Sequence, residues 1–161
     1  MSPSVRTLED LLPLRDTWRR EGRRVVWTNG VFDLLHIGHL DSLTAARALG
    51  DVLIVGVNDD ASVRRLKGPR RPLVPAAERA AMVAALRPAD HAVIFGEDTP
   101  EVALALLRPD VHCKGADYAP PDGKPVPERE VVEGYGGTVA FLPLVAGRSS
   151  TRLIEALEAS A

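Results

Sequence analysis

The stretch RVVWTNGVFDLLHIGH, from Arg24 to His39, decides the fold. Arg24 to Trp27 is a short apolar strand, Thr28 to Asp33 a glycine-bearing loop, and His36 to Leu49 shows helical periodicity that stops at Gly50. Asp51 to Val57 follows as a nearly unbroken apolar run, as expected of a parallel strand covered on both faces. Two strands joined by a helix make a βαβ unit, and the alternation continues outward. Helices are predicted over 76–86, 100–107, 128–135 and 150–159, and strands over 91–95, 111–114 and 138–142. This pattern predicts a single α/β domain, a Rossmann-like doubly wound parallel sheet of about five strands, with ligands beyond the carboxyl ends of the strands. Arg64 to Pro75 and Tyr118 to Pro127 read as polar, proline-bearing loops. Upstream, Leu8, Leu11, Leu12 and Trp18 fall near helical spacing, and Thr7 and Asp10 are placed like a capping box. Residues 1–22 therefore read as a helical extension ahead of a domain over 23–161.

Bulk composition narrows the function classes. With 161 residues, 45% hydrophobic and 26% charged, the chain suits one globular core. A net charge of −2 and a pI near 6.1 give no global field to gather nucleic acid or an anionic membrane, so any phosphate site must be local. The single cysteine, Cys113, and the lack of an apolar run near the roughly 20 residues of a membrane span point to a reducing cytoplasm. Only Lys67, Lys114 and Lys124 among the 20 lysines and arginines are lysine. A compact ammonium is not interchangeable with a planar guanidinium, so these three are noted.

Chemistry concentrates in Thr28 to His39. His36 and His39 are three apart at a helix start and share a face, while Gly30 and Gly38 are expected to keep side chains clear of a phosphate chain. Free backbone N–H groups and the helix dipole would complete an anion site. The same histidines could simply cap the helix, in which case the pattern carries no chemistry. Zinc held by His36, His39, His112 and Cys113 is a further alternative, opposed by geometry, because adjacent strand residues point to opposite faces.

A second cluster, Arg148-Ser149-Ser150-Thr151, opens the last helix on the same sheet edge. Serine and threonine are ordinary N-caps, yet two helix starts facing one space would suit the β- and γ-phosphates of a nucleotide. Lys67 and Lys114 fall just past strands on that edge, with Arg71 and Arg79 following Lys67. Arg64 to Arg71 could equally be a solvated charge run.

Together these segments resemble the cytidylyltransferase-like superfamily, and most closely the heptose 1-phosphate adenylyltransferases. The resemblance runs from Val25 to Leu157 and rests on TNGVFDLLHIGH (Thr28 to His39), VGVNDDASVRRLKG (Val55 to Gly68), RPLVPAAER (Arg71 to Arg79), EDTP (Glu97 to Pro100), KGADY (Lys114 to Tyr118) and SSTRLI (Ser149 to Ile154). It implies that a sugar 1-phosphate attacks the α-phosphorus of ATP in line, with Mg²⁺ bound mainly through the nucleotide phosphates, to give an ADP-sugar and pyrophosphate. By the same resemblance His36, His39 and Lys67 are catalytic. Thr28, Asn29, Gly30, Phe32, Gly38, Arg148, Ser149, Ser150 and Thr151 bind nucleotide, and Asp33, Asn58, Arg79, Lys114 and Asp117 line the sugar-phosphate site. Related enzymes often pair as homodimers, which the resemblance extends to this chain.

Two departures stand out: Ala116 occupies a position where members commonly carry a second glycine, and the sugar kinase fused to many members is lacking. The latter implies a stand-alone transferase. The sequence leaves open transfer of CMP or AMP to glycerol phosphate, ethanolamine phosphate, phosphopantetheine or a mononucleotide, and also a nucleotide-binding regulator without turnover. Replacing either histidine with Ala is expected to leave the fold nearly unaffected, since groups facing an open anion site add little packing.

Overall fold

The fold is seen in a computed structural model that describes residues 4–160. In chain order its elements are β1 (Val5–Arg6), α1 (Leu8–Arg20), β2 (Val25–Gly30), α2 (Ile37–Arg47), β3 (Val52–Asn58), α3 (Asp60–Lys67), α4 (Ala76–Ala84), β4 (His91–Phe95), α5 (Glu101–Leu107), β5 (Val111–Gly115), a 3₁₀ turn (Ala116–Tyr118), α6 (Arg129–Gly134), β6 (Thr138–Leu142) and α7 (Ser150–Ala159). All neighbouring strands run parallel, in the order β1-β4-β3-β2-β5-β6. From β2 the chain steps outward through β3 and β4, then crosses back to β5 on the other side of β2. That reversal opens a crevice beyond the carboxyl ends of β2 and β5, where doubly wound sheets take their ligands.

Period-two alternation gives each sheet face its own core. Val26, Leu53, Val55 and Val57 face Leu43 and Ala46 of α2 and Ala80 and Val83 of α4. Val25, Trp27, Val52 and Ile54 face Leu11 and Trp18 of α1 and Leu104 and Leu107 of α5. Every residue of β3 is buried, as its unbroken apolar run requires. Gly56 is needed there because a Cβ would overlap the Trp27 indole and stand 3.0 Å from the Phe95 ring.

Three expectations need correction. The sheet has six strands, not about five, because Val5 and Arg6 pair with Ala92 and Val93 of β4. A two-residue strand is too short to show a period. β2 continues three residues beyond Trp27, so Thr28, Asn29 and Gly30 belong to the strand. Arg64 to Lys67 are the last turn of α3, not loop: Asp59 caps this helix by accepting from Ser62 N at 2.7 Å, and Gly68 ends it at φ +99°. Its charged face hid the helix, since only Ser62 and Val63 are buried.

The capping box on α1 forms as expected, Asp10 N donating to Thr7 and Thr7 N to Asp10. The helix is tied into the domain by buried Arg15, which donates to the carbonyls of Leu107 and Arg108 and to Asp110. Among the described residues no helix is long and apolar enough to cross a membrane.

One buried arginine joins the elements that frame the crevice. Arg79 on α4, 1% exposed, donates to the carbonyls of Val74 (2.7 Å), Val31 (2.6 Å) and Asn58 (2.8 Å) and to the Asp60 carboxylate (2.7 Å). It thus fixes the turn after β2 against the end of β3 and the start of α3. Removing it strands three carbonyls, each unsatisfied buried group costing about 1–3 kcal/mol. Arg79→Met should therefore lose about 3 kcal/mol or more in urea unfolding, and Arg79→Lys, which cannot fork, should recover little of it. A loss below about 1 kcal/mol in the Met variant would contradict this tether.

Candidate active site

At the crevice lies a cleft of about 460 Å³, lined by the turn after β2 from Gly30 to Asp33, by His36, Gly38, His39 and Ser42 at the start of α2, by Asn58, Lys67 and Arg71, by Leu144 and Val145 after β6, and by Arg148 to Thr151 at the start of α7. Another cavity of about 390 Å³ between β1, α1 and β4 lacks histidine and lysine, and its Thr7 and Asp10 are spent on capping α1. The convergent chemistry is in the first.

The two imidazoles are built into the start of α2. His36 is the N-cap, and its Nδ1 accepts from Gly38 N at 3.1 Å, while His39 Nδ1 accepts from His36 N at 3.3 Å. The rings lie 3.9 Å apart between centroids. A ring nitrogen that accepts from a backbone N–H carries no proton, so in the neutral rings the proton sits on Nε2. Burial, with a smaller push from His36, lowers His39 to about 4. Burial and then the Arg148 guanidinium lower His36. At neutral pH both rings are therefore uncharged Nε2–H donors. His36 Nε2 is shielded from solvent and has no partner among the described residues, a buried donor left unsatisfied.

The glycines serve the imidazoles more than the ligand. A Cβ at Gly38 would stand 2.9 Å from the His36 ring, and one at Gly30 would stand 3.2 Å from the Phe32 ring. Phe32 holds a left-handed backbone at φ +52°, uncommon for a bulky residue, and its ring packs 5.2 Å from that of His39. Gly30, Phe32 and His39 thus form a stack that sets the second imidazole. Because the histidines cap α2, replacing His36 with Ala loses the N-cap, worth about 1 kcal/mol, contrary to the expected indifference of the fold.

The opposite wall is the start of α7. Ser149 Oγ caps the helix by accepting from Arg152 N at 3.1 Å, and Ser150 Oγ donates to Leu34 O at 2.7 Å. The Ser150 hydroxyl thus holds the helix against the turn that precedes His36, and Arg148 to Thr151 line the cleft. Lys67 reaches the cleft from the end of α3, and Arg71 from the loop after it.

Asp33 fixes that loop. Its carboxylate is fully buried and accepts from Arg71 Nε (2.6 Å), Leu73 N (2.9 Å) and Val74 N (3.0 Å). Although burial opposes its charge, these donors hold the Asp33 carboxyl below its ordinary range. With both oxygens engaged, Asp33 anchors Arg71 and the loop that follows α3.

Of the expected site residues, Gly30, Phe32, Asp33, His36, Gly38, His39, Asn58, Lys67 and Arg148 to Thr151 converge on the cleft. Thr28, Asn29, Arg79, Lys114 and Asp117 are not among its lining. Thr28 is buried within β2, Asn29 accepts from Trp27 Nε1, and the Arg79 guanidinium is spent on its tether. Lys114 donates to buried Glu128 at 3.0 Å and lies over the Tyr118 ring, and Asp117 pairs with Lys124 at 2.7 Å. Glu128 also bonds His112, and although burial opposes its charge, His112 first and then Lys114 hold it down at about 2.

Ser42, Arg71, Leu144 and Val145 line the cleft without having been singled out as site residues. Ser42 lies three residues after His39 and so shares its helix face, a readable signal. Leu144 and Val145 sit in a turn that carries none. The zinc alternative fails on geometry. Cys113 lies in the core, its thiol pushed up to about 12 by burial, His112 faces Glu128, and among the described residues no three His, Cys, Asp or Glu side chains could hold a metal.

A family model described as cytidylyltransferase-like matches residues 27–155, from β2 into α7. A bifunctional protein HldE from Syntrophotalea carbinolica is 50% identical over 151 residues, covering 94% of this chain and 30% of that protein. One from Trichlorobacter lovleyi is 52% identical over 137 residues, covering 85% of this chain and 27% of that protein. The chain thus spans about 30% of the length of the curated relatives it matches. A solved structure of a lipopolysaccharide core biosynthesis protein from Thermoplasma volcanium GSS1 is 28% identical, with a TM-score of 0.61, covering 77% of this chain and 98% of that one. Because the family match takes in the sheet edge and both helix starts of the cleft, the chain belongs to the cytidylyltransferase-like family.

Proposed function

We propose that this chain transfers AMP from ATP to a heptose 1-phosphate, giving ADP-heptose and pyrophosphate in the cytoplasm. The observation that carries the reading is the pair of neutral imidazoles that line the cleft between two helix N-termini, each with Nδ1 bound to a backbone N–H and Nε2–H without a partner among the described residues. The choice of acceptor draws on the names of the relatives, HldE and a lipopolysaccharide core biosynthesis protein, together with the RLKG and KGADY segments.

In this reading an oxygen of the acceptor phosphate, already anionic, forms a bond to the α-phosphorus. The bond from that phosphorus to the oxygen bridging to the β-phosphorus breaks, and pyrophosphate leaves with the electron pair. No general base is required, so the protein contributes alignment and fixed donors aimed at developing charge. His36 and His39 supply uncharged donors beside the α-phosphate, while Arg148 and the start of α7 hold the outer phosphates. Lys67 and Arg71 screen the repulsion between two polyanions. Mg²⁺ would come with the nucleotide as MgATP and would supply neutralisation of phosphate charge.

A pyrophosphate-release screen crossing ATP, CTP, GTP and UTP with sugar 1-phosphates, glycerol 3-phosphate and phosphopantetheine tests the reading. ATP with a manno-heptose 1-phosphate should give the highest kcat/KM; CTP with glycerol 3-phosphate in that place would overturn it. His36→Asn and His39→Asn retain an oxygen that can cap α2 but lack the Nε2–H donor. Each should lower kcat roughly a hundredfold, about 2.7 kcal/mol, with little change in ATP affinity or urea stability. Equal turnover by wild type and both variants would reduce the histidines to helix caps.

Neutrality of the imidazoles has its own signature. Folded His39 binds a proton only near pH 4, whereas the unfolded residue does so near 6.5. The unfolded state therefore takes up more protons between those values, so this contribution is complete above pH 6.5 and is lost as pH falls towards 4. From pH 6.5 to 4.5 the Tm of His39→Asn should fall less steeply than that of wild type. Parallel slopes would mean that His39 is not held neutral.

A further inference from the structure

The amino edge of the sheet, opposite the cleft, carries a polar groove of its own. One part, about 240 Å³, is lined chiefly by Arg15, Arg19, Arg108, Asp110, Tyr135 and Gly137. A second part, about 370 Å³, shares Arg15, Arg19 and Asp110 and adds Arg23 and Arg24. Arg24, Asp110 and Gly137 immediately precede β2, β5 and β6, which places the groove at the amino ends of these parallel strands. None of its lining residues belongs to the histidine cleft.

Arg15 lines both parts and is a buried cation with donors to spare. Its side chain is 5% exposed, and Nε and Nη2 reach the Leu107 and Arg108 carbonyls and Asp110. No hydrogen bond among the described residues engages Nη1, which is not shut off from solvent. The Tyr135 hydroxyl beside it is a further donor without a partner among the described residues, and burial pushes its pKa up, so it keeps its proton at neutral pH. Asp110, the one carboxylate of the lining, is compensated, since its oxygens accept from Arg15 Nη2 and from Val25 N. The lining thus sets five guanidiniums against one carboxylate in a chain of net charge −2, a local field of opposite sign to the whole. Arg19 and Arg23 meet Asp16 at 3.3 Å and Glu21 at 3.9 Å, exposed contacts that add little and can part. Among the described residues no carboxylate pairs with the side chain of Arg24 or Arg108.

We propose that this groove binds a small polyphosphate anion at a site separate from the cleft, with Arg15 Nη1 as its fixed donor and Arg24 and Arg108 supplying charge from the two parts. Planar guanidiniums match phosphate oxygens in pairs, which favours phosphate over a simple halide. Arginines in both parts of the groove suit linked phosphates better than one. The site shares no residue with the cleft, so it stands independently of the transfer reading.

The test is a titration of the ¹⁵N-labelled protein with inorganic tripolyphosphate, read at the amide signals of Gly136 and Gly137, with Gly38 reporting the cleft. Gly136 and Gly137 should shift along a saturable curve with half-saturation below about 1 mM, weakening as salt screens the exposed guanidiniums. The double variant Arg24→Ser, Arg108→Gly should keep the wild-type Tm or better, because both side chains are exposed and Arg108 holds φ +48°, a conformation glycine adopts freely. It should raise the half-saturation at Gly136 and Gly137 roughly tenfold or more, as loss of a charged hydrogen bond does, and leave the Gly38 curve unchanged. Signals of Gly136 and Gly137 that stay put or drift without saturating at millimolar tripolyphosphate overturn the site, as does a double variant that titrates like wild type. Sulfate binding as tightly as tripolyphosphate would overturn the polyphosphate assignment.

Discussion

At the start of α2 each imidazole commits its Nδ1 to a backbone N–H of the same turn, and the geometry of the cleft is set by that commitment. Two donors of the helix start, which would otherwise lack partners, are satisfied by side chains that line the cleft. The tautomer follows without further help, because a nitrogen accepting a hydrogen bond must be the unprotonated one. Burial disfavours charge on either ring, with Arg148 adding to it at His36 and the neighbouring His36, 3.9 Å away between centroids, at His39. The pair therefore presents fixed, uncharged donors, the form that stabilises developing negative charge without first binding the ground-state anion tightly.

Around this turn, buried ions act as spacers. Asp33 and Arg79 are each surrounded by hydrogen-bond partners drawn mostly from backbone, so their charges are compensated and two irregular segments have one arrangement. Asp33 sets the loop that carries Arg71. Arg79 sets the distance between the turn after β2 and the end of β3. Both lie in motifs that signal a ligand site; Asp33 lines the cleft with its oxygens engaged, and Arg79 is outside the lining. A conserved-looking charge in a site motif can be a positioning group when its partners are carbonyls and amides.

The two walls of the cleft are held differently. α2 is anchored by Leu43 and Ala46 in the core, whereas no residue of α7 is buried. What locates α7 is its first turn, through the Ser150 hydroxyl on Leu34 O, and an exposed ion pair near its far end. α7 is thus fixed at its N-terminus, where it lines the cleft, and places no buried residue in the core.

The sequence by itself determined the alternation of strands and helices, the βαβ unit around Thr28 to His39, and the sheet edge on which the motifs meet. Those follow from local periodicity and from the parallel sheet that periodicity demands. His36, His39, Lys67 and Ser149 to Thr151 were legible because glycines, a strand end and a helix start surround them in series. The sixth strand was not, since Val5 and Arg6 are strand only by virtue of pairing with β4. Nor was the last turn of α3, whose charged residues show no apolar stripe. Only the tertiary structure decided which charged side chains face the cleft. Arg79, Lys114 and Asp117 were candidates by motif and are engaged by partners, and Arg71 and Ser42 joined the lining instead. The physical reason is that a buried charge is directed by whichever partners best compensate its lost hydration, and for Asp33, Arg79 and Lys114 such a partner sits on another element, at separations of 40, 48 and 14 residues that no local pattern encodes.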